Sequence, residues 1–183
     1  MFAYSTKIFE VYKRKFKRKM SWMLIRFYCP FLPNSYKGNL TRGRIYSSLF
    51  KKCGYRLQIA SNFIFFSPET VSIGNDVFIG HNCYLGAGEI RIEDNVMIGP
   101  FASIMAGNHL FENGIVLPTG NKYQYGHVVI GKGSWIGAHV CVTANVIVGQ
   151  GCLVSAGAVV TKNIPDFCMV AGVPAKFIRE NKS

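Results

Sequence analysis

Acidic side chains are scarce in this chain: nine Asp and Glu stand against 21 Lys and Arg, a formal net charge of +12. The imbalance is local. Residues 1–56 hold fourteen Lys and Arg and one acid, Glu10, whereas the rest of the chain holds seven basic and eight acidic residues. Long apolar runs are missing as well. The stretch from Met20 to Leu32 is too short to span a bilayer and is interrupted by Arg26 and Pro30. It follows a basic segment as a signal peptide would, but it carries an arginine and no small-x-small cleavage pattern comes after it. Close cysteine pairs are absent too. Cys29, Cys53, Cys83, Cys141, Cys152 and Cys168 read as reduced thiols used as small apolar residues, in a cytoplasmic protein. No base-reading motif accompanies the basic charge, which argues against nucleic acid as a partner.

The front segment has its own pattern. Ile8, Tyr12, Phe16, Met20, Leu24 and Phe27 recur at helical spacing while Lys13, Arg14, Lys15, Lys17, Arg18 and Lys19 crowd the turns between them. This is a basic amphipathic helix within an extension covering 1–56. Two uses compete for it: a cap on the end of the following domain with a solvated basic face, or peripheral contact with an anionic membrane through residues 7–28.

The rest of the chain, 57–183, keeps a six-residue beat. Ile73, Ile79 and Leu85 stand six apart, then Ile92, Ile98 and Ile104, then Ile130, Ile136, Val142, Val148, Val154 and Val160. Three residues after each anchor come Asp76, Asn82, Gly88, Asn95, Phe101, Gly107, Gly133, His139, Asn145, Gly151, Gly157 and Asn163. Ten of these twelve are types that tolerate positive φ, so each beat is expected to end in a corner. The next slot, as in Val77, Cys83, Val96, Ala102, Ser134, Val140, Val146, Cys152 and Ala158, is small or β-branched and suits an inward position beside a corner. Three beats make one triangular coil, and stacked coils bury what no single coil can. The fold class is an all-β solenoid, a hexapeptide β-helix with a basic, partly helical N-terminal extension and a short C-terminal tail. A sandwich would show longer alternating strands with turn signals every 8–12 residues.

The beat breaks twice. Leu85 to Ile92 is seven residues, a one-residue bulge; Ile104 to Ile130 is 26, one regular beat plus a twenty-residue excursion spanning about 108–128. A long loop on a rigid scaffold is a functional candidate. It opens with Gly107, Asn108 and His109 and returns through Tyr123, Tyr125, Gly126 and His127. Asn108 falls in an inward-type slot, so polarity is expected to displace packing there, as functional sites often require.

Three stretches carry a resemblance. They are Asn108-His109 at the loop root; the re-entry from Val128 to Ala138, VVIGKGSWIGA; and the ending from Ser155 to Pro165 and Val170 to Lys176, SAGAVVTKNIP and VAGVPAK. Over roughly Val71 to Arg179 the chain resembles the hexapeptide-repeat acyltransferases with a left-handed β-helix. The likeness is to the maltose and galactoside O-acetyltransferase-like branch that includes capsule, O-antigen and exopolysaccharide acetyltransferases. The resemblance implies acetyl-CoA as acyl donor, a sugar or glycan acceptor, no metal, and a homotrimer with sites between neighbours. It implies His109 as the catalytic base and Trp135 beside the acyl group. Ala138 and Ala156 would lie along the pantetheine arm, and Thr161, Lys162 and Lys176 near the nucleotide. Asn82 would match an acceptor-binding asparagine, with Asn108 beside the base. Some relatives carry Ser where Ala138 stands, so oxyanion stabilisation there would have to come from backbone N–H.

The chemistry agrees with those residue types. An alcohol attacking a thioester is almost wholly protonated at neutral pH, and a neutral imidazole is suited to take its proton. Glu112, three residues on, could orient that imidazole, although a solvated loop carboxylate is the more ordinary reading. Two rivals remain at this stage. A zinc carbonic anhydrase would need three imidazoles from His81, His109, His127 and His139 converging on one metal, and lacks the close pair at the loop root. A non-catalytic solenoid explains the beat and leaves the three stretches to coincidence. Among acyltransferases, a small soluble sugar and an antibiotic stand beside a glycan, and the basic extension favours a glycan or lipid-linked precursor at the inner membrane face.

Overall fold

The structure, a computed structural model, describes residues 2–117 and 123–181, with side chains from residue 15 onward. Helix α1 (Phe2–Phe27) and a 3-10 turn (Cys29–Phe31) lead into α2 (Tyr36–Ser47), and the rest is strand and corner. The first coil comprises β1 (Lys52–Cys53), β2 (Gln58–Ile59) and β3 (Ile64–Phe65). The second has β4 (Val71–Ile73), β5 (Phe78–Ile79) and β6 (Tyr84–Leu85); the third has β7 (Glu89–Ile92), β8 (Met97–Ile98) and β9 (Ser103–Ile104). The excursion contributes β10 (Gly107–His109), β11 (Phe111–Glu112), β12 (Ile115–Val116) and β13 (Tyr123–Tyr125). Coils resume with β14 (His127–Ile130), β15 (Trp135–Ile136) and β16 (Cys141–Val142), then β17 (Val146–Val148), β18 (Leu153–Val154) and β19 (Val159–Val160). They end in β20 (Cys168–Ala171), and β21 (Lys176–Glu180) returns antiparallel along it.

Each coil adds one strand to each of three parallel sheets, so the prism has a first face β1-β4-β7-β14-β17, a second face β2-β5-β8-β15-β18-β20-β21, and a third face β3-β6-β9-β16-β19. The twelve aliphatic anchors are all buried, and so are the nine small or β-branched residues beside the corners. Ser134, the polar member of that set, donates its hydroxyl to Gly149 O at 2.7 Å and accepts from the Cys152 N–H at 3.0 Å, which accounts for its burial.

Ten of the twelve expected corner residues have positive φ, including Phe101 (60°) and His139 (58°), whose types do not favour it. Their rings stack, 4.7 Å apart and 2° from parallel, with His81 edge-on to Phe101 at 5.0 Å. Packing between coils thus stabilises an unfavourable backbone. Gly107 and Asn163 are the other two. Gly107 is the first residue of a strand leaving the prism, and Asn163 instead accepts the Ile147 N–H on its side-chain oxygen at 2.8 Å.

The parallel sheets begin at Lys52, ahead of the boundary expected at 57. Cys53, Ile59 and Phe65 stand six apart and exactly twenty before Ile73, Ile79 and Leu85, with Arg56 and Asn62 at positive φ in their corners. What conceals this coil is the eight-residue step from Phe65 to Ile73, which holds a 3-10 turn at Pro68–Thr70. The open end of the core is closed by α2 and the residues after it: Tyr46, Leu49 and Phe50 are buried, and Tyr46 and Phe50 meet the rings of Phe63 and Phe65.

Arg42, 2% exposed, ties this cap together. Its guanidinium donates to the carbonyls of Cys29, Leu32, Pro33 and Ile59 and to Asn39 Oδ1, joining the α1–α2 connection to the first coil. Among the described residues no helix is long and apolar enough to cross a membrane.

Candidate active site

The excursion leaves and re-enters the prism at one narrow neck, where the Gly126 N–H donates to Ala106 O at 2.7 Å and the Glu89 N–H to Gly126 O at 2.9 Å. Between these points β10 and β13 pair antiparallel, with Gly107 opposite Tyr125, Asn108 opposite Gln124 and His109 opposite Tyr123. Farther out, β11 and β12 form a hairpin on Asn113 (φ 51°) and Gly114 (φ 78°). Asn-Gly is the pair that supplies two consecutive positive φ values, and between apolar residues it is a hairpin signal legible in the sequence. The hairpin's Phe111, Ile115 and Val116 are exposed.

Asn108 is not inward. It is exposed on β10, because the chain departs in extended form at Gly107 and no corner forms to turn Asn108 toward the core. A Cβ at Gly107 would lie 2.3 Å from the Tyr123 ring, so the glycine makes room for that ring to lie across the neck.

His109 lines a cavity of about 330 Å³ with Phe66, Tyr84, Ala87, Met105, Tyr123 and Tyr125. The imidazole meets Tyr123 edge-on, 5.0 Å between centroids at 87°, and Tyr123 meets Tyr125 at 5.0 Å. Burial is the main cause that raises the Tyr123 hydroxyl above its usual pKa, with Tyr84 and Tyr125 adding to it. Phe66, Tyr84 and Met105 were not singled out from the sequence. Tyr84 immediately precedes an anchor, and Phe66 and Met105 each immediately follow one, so strand alternation could have marked all three as outward-facing around the loop root.

The remaining candidates occupy other parts of the prism. Asn82 (φ 55°) sits in the corner between the second and third faces, its N–H donating to Ser61 O at 3.1 Å. Ala138 and Ala156 lie in that same corner two and three coils farther on, where a Cβ at Gly137 would meet Ala156 N at 2.6 Å. Trp135 is half exposed on the second face, flanked in register by Met97 and Leu153. Thr161 and Lys162 are exposed at the end of β19, in the corner from which the excursion departs two coils earlier, and Lys176 opens β21 opposite Ala171. Within the chain Asn82, Ala138 and Ala156 therefore line one edge of the prism and His109, Thr161 and Lys162 another, with the third face between them, while Trp135 and Lys176 belong to strands of the second face. Glu112 pairs with Ile115 across the hairpin and shares no hydrogen bond with His109 among the described residues.

The four histidines are dispersed: His81 and His139 in the corner of Phe101, His109 on β10, and His127 at the start of β14. Among the described residues no three His, Cys, Asp or Glu side chains are grouped to hold a metal. The cysteines are unpaired, and burial pushes the thiols of Cys53 and Cys83 up to about 11 and raises those of Cys29, Cys141 and Cys152. Thiols raised in this way are poor nucleophiles.

Residues 127–162 match the family model described as bacterial transferase hexapeptide (six repeats), and residues 70–88 that described as hexapeptide repeat of succinyl-transferase. The chain is 32% identical over 120 residues to galactoside O-acetyltransferase of Escherichia coli (strain K12), a match covering 62% of this chain and 58% of that protein. It thus spans somewhat more than half the length of that relative. A maltose O-acetyltransferase structure from Clostridium difficile 630 superposes with a TM-score of 0.74 at 26% identity, over 93% of this chain and 89% of the other. A hexapeptide-repeat acetyltransferase of Vibrio cholerae, complexed with acetyl coenzyme A, shares the fold with a TM-score of 0.73 at 22% identity, over 95% and 90% of the two chains. The repeat, the excursion and these likenesses together make the chain similar to the hexapeptide-repeat acetyltransferases, the galactoside and maltose O-acetyltransferases among them.

Proposed function

We propose that this protein is an acetyl-CoA-dependent O-acetyltransferase that acetylates a sugar hydroxyl in a cell-surface glycan or its lipid-linked precursor, with His109 as general base. The observation that carries this reading is His109 in the wall of a ring-lined cavity at the root of the excursion. The aromatic rings there are suited to the apolar face of a pyranose, and no charged side chain lines the cavity.

In the proposed step the acceptor hydroxyl attacks the thioester carbonyl while the His109 imidazole takes its proton. The C–S bond then breaks, and the proton passes to the departing coenzyme A sulfur. Direct transfer accords with the raised thiols, which disfavour a covalent cysteine intermediate. Trp135, Ala138 and Ala156 are assigned to the acyl and pantetheine end, Thr161, Lys162 and Lys176 to the nucleotide, and Asn82 and Asn108 to the acceptor. Because His109 lies on one edge of the prism and Ala138 and Ala156 on another, a homotrimer that sets one protomer's edge against its neighbour's would assemble the site. The exposed Phe111, Ile115 and Val116 on the outreaching hairpin support such contact. Peripheral contact with an anionic membrane through residues 7–28 belongs to the same reading.

The test is thiol release from acetyl-CoA with a panel of galactosides, glucosides and lipid-linked glycans. His109→Ala should lower turnover roughly 10²–10⁴-fold and leave acetyl-CoA affinity nearly intact by calorimetry. Wild-type turnover in that variant would remove His109 from the mechanism. Absence of both thiol release and coenzyme binding in the unmodified protein would favour a non-catalytic module.

A further inference from the structure

We infer that α1 is a two-faced helix whose outer apolar stripe, Phe16, Met20, Met23 and Phe27, seats the protein on an anionic lipid bilayer. The inner face is accounted for by contacts with the rest of the chain. Ser21 is buried and its hydroxyl hydrogen-bonds that of Ser48 at 2.7 Å, Trp22 meets the Phe65 ring at 5.4 Å, Ile25 packs against the core, and Arg18 lies 3.8 Å from Glu69. At about 100° per residue, Arg18, Ser21, Trp22 and Ile25 share one side of the helix, and Phe16, Met20, Met23 and Phe27 lie on the opposite side within an arc of about 60°. Those four are 67%, 39%, 51% and 66% exposed, and Phe31 extends the stripe beyond the helix. The expected apolar face is corrected in one respect: Met23 faces outward, while Leu24 is half-buried. Ile8, Tyr12, Lys13 and Arg14 lie outside the described side chains.

The spacing i, i+4, i+7, i+11 could equally serve a helix seam with a second copy, and charge decides between them. The stripe is flanked by the exposed Lys15, Lys17, Lys19 and Arg26, and the helix has one acid, Glu10. Copies meeting along this seam would bring cations against cations without acidic partners. An anionic headgroup layer offers the opposite charge along the flanks and hydrocarbon for the stripe. The placement also deepens the proposed function, on which this consequence rests. The segment that receives the helix through Phe65 and Glu69 also lines the His109 cavity through Phe66, so a docked helix brings that cavity beside the lipid surface.

The experiment is sedimentation of the full chain with vesicles of phosphatidylcholine containing about 30% phosphatidylglycerol, against pure phosphatidylcholine, and needs no catalysis. Binding should require the anionic lipid and weaken as salt shortens the Debye length. Changing Phe16, Met20, Met23 and Phe27 to Ser, or separately Lys15, Lys17, Lys19 and Arg26 to Gln, should weaken binding roughly tenfold or more. As a conservative probe, Phe16→Trp should be quenched by brominated acyl chains. Failure of the unmodified protein to bind, unchanged binding in both sets of variants, or no quenching would overturn the inference. A fall in oligomeric mass on removing the stripe would overturn it too, assigning that face to a contact between copies.

Discussion

Gly99 and Gly133 are both corner glycines, for opposite reasons. At Gly133 (φ 71°) a Cβ would meet nothing within 4 Å, so Gly133→Ala should cost only the backbone strain, about 1–2 kcal/mol. At Gly99 a Cβ would lie 2.7 Å from Ala138 N and 2.8 Å from Gly137 C. Backbone in the next coil cannot swing aside as a side chain can, so Gly99→Ala should cost more, about 2–3 kcal/mol or above. Urea unfolding of the two variants checks the order, and equal midpoints would contradict it. Because Ala138 is assigned to the pantetheine arm, Gly99→Ala should also weaken acetyl-CoA binding while Gly133→Ala does not. Cys83 is another residue defined by its surroundings. It is buried against Gly99 O, with its thiol pushed up to about 11, so it should resist a bulky aromatic disulfide at pH 8 until the protein is unfolded.

Among the elements, the N-terminal cap depends on one side chain. Removing the Arg42 guanidinium would take a donor from the part-buried carbonyls of Leu32 and Pro33 and leave the Cys29 carbonyl with the Leu32 N–H alone. Arg42→Ala should therefore lower stability by about 3 kcal/mol, read from denaturant unfolding. Loss under 1 kcal/mol would mean that water replaces it freely. The first coils also carry two exposed ion pairs, Arg56–Asp76 and Lys51–Glu89, which hold both carboxyls below their usual pKa, chiefly through side-chain hydrogen bonds. A depressed folded pKa contributes stability above the unfolded value, near 4, and loses it as pH falls through the folded value. Acid should therefore loosen this end of the prism, and Asp76→Asn should flatten the pH dependence of the melting midpoint below about pH 4.

Across the whole molecule, the separation of His109 from Ala138 and Ala156 by a full face predicts an assembly. Light scattering at micromolar concentration should report three chains, and a monomer mass would count against a shared site. Complementation is more specific. His109→Ala and Trp135→Ala chains refolded together should regain roughly a quarter of wild-type activity if each site takes one group from each of two neighbours. Activity no higher than that of the separate variants would place the site within one protomer.

The six-residue beat was legible because it is local: an aliphatic anchor, a residue that tolerates positive φ and a small inward neighbour together specify one edge of a coil. His109 at the loop root was legible from the interruption of that beat. The first coil, from Lys52 to Phe65, was hidden by the turn at Pro68–Thr70, and the hairpin on Asn113-Gly114 could have been read but was not. Other features depend on partners distant in sequence. Phe101 and His139 accept positive φ because their rings stack across coils, Asn108 lies outside because the chain leaves at Gly107, and α1 turns Met23 outward because Ser21, Trp22 and Ile25 have partners on the prism. Backbone sterics act between neighbours along the chain and leave a periodic trace in it. The choice of which apolar face is buried is a competition among long-range contacts, and no spacing records its outcome.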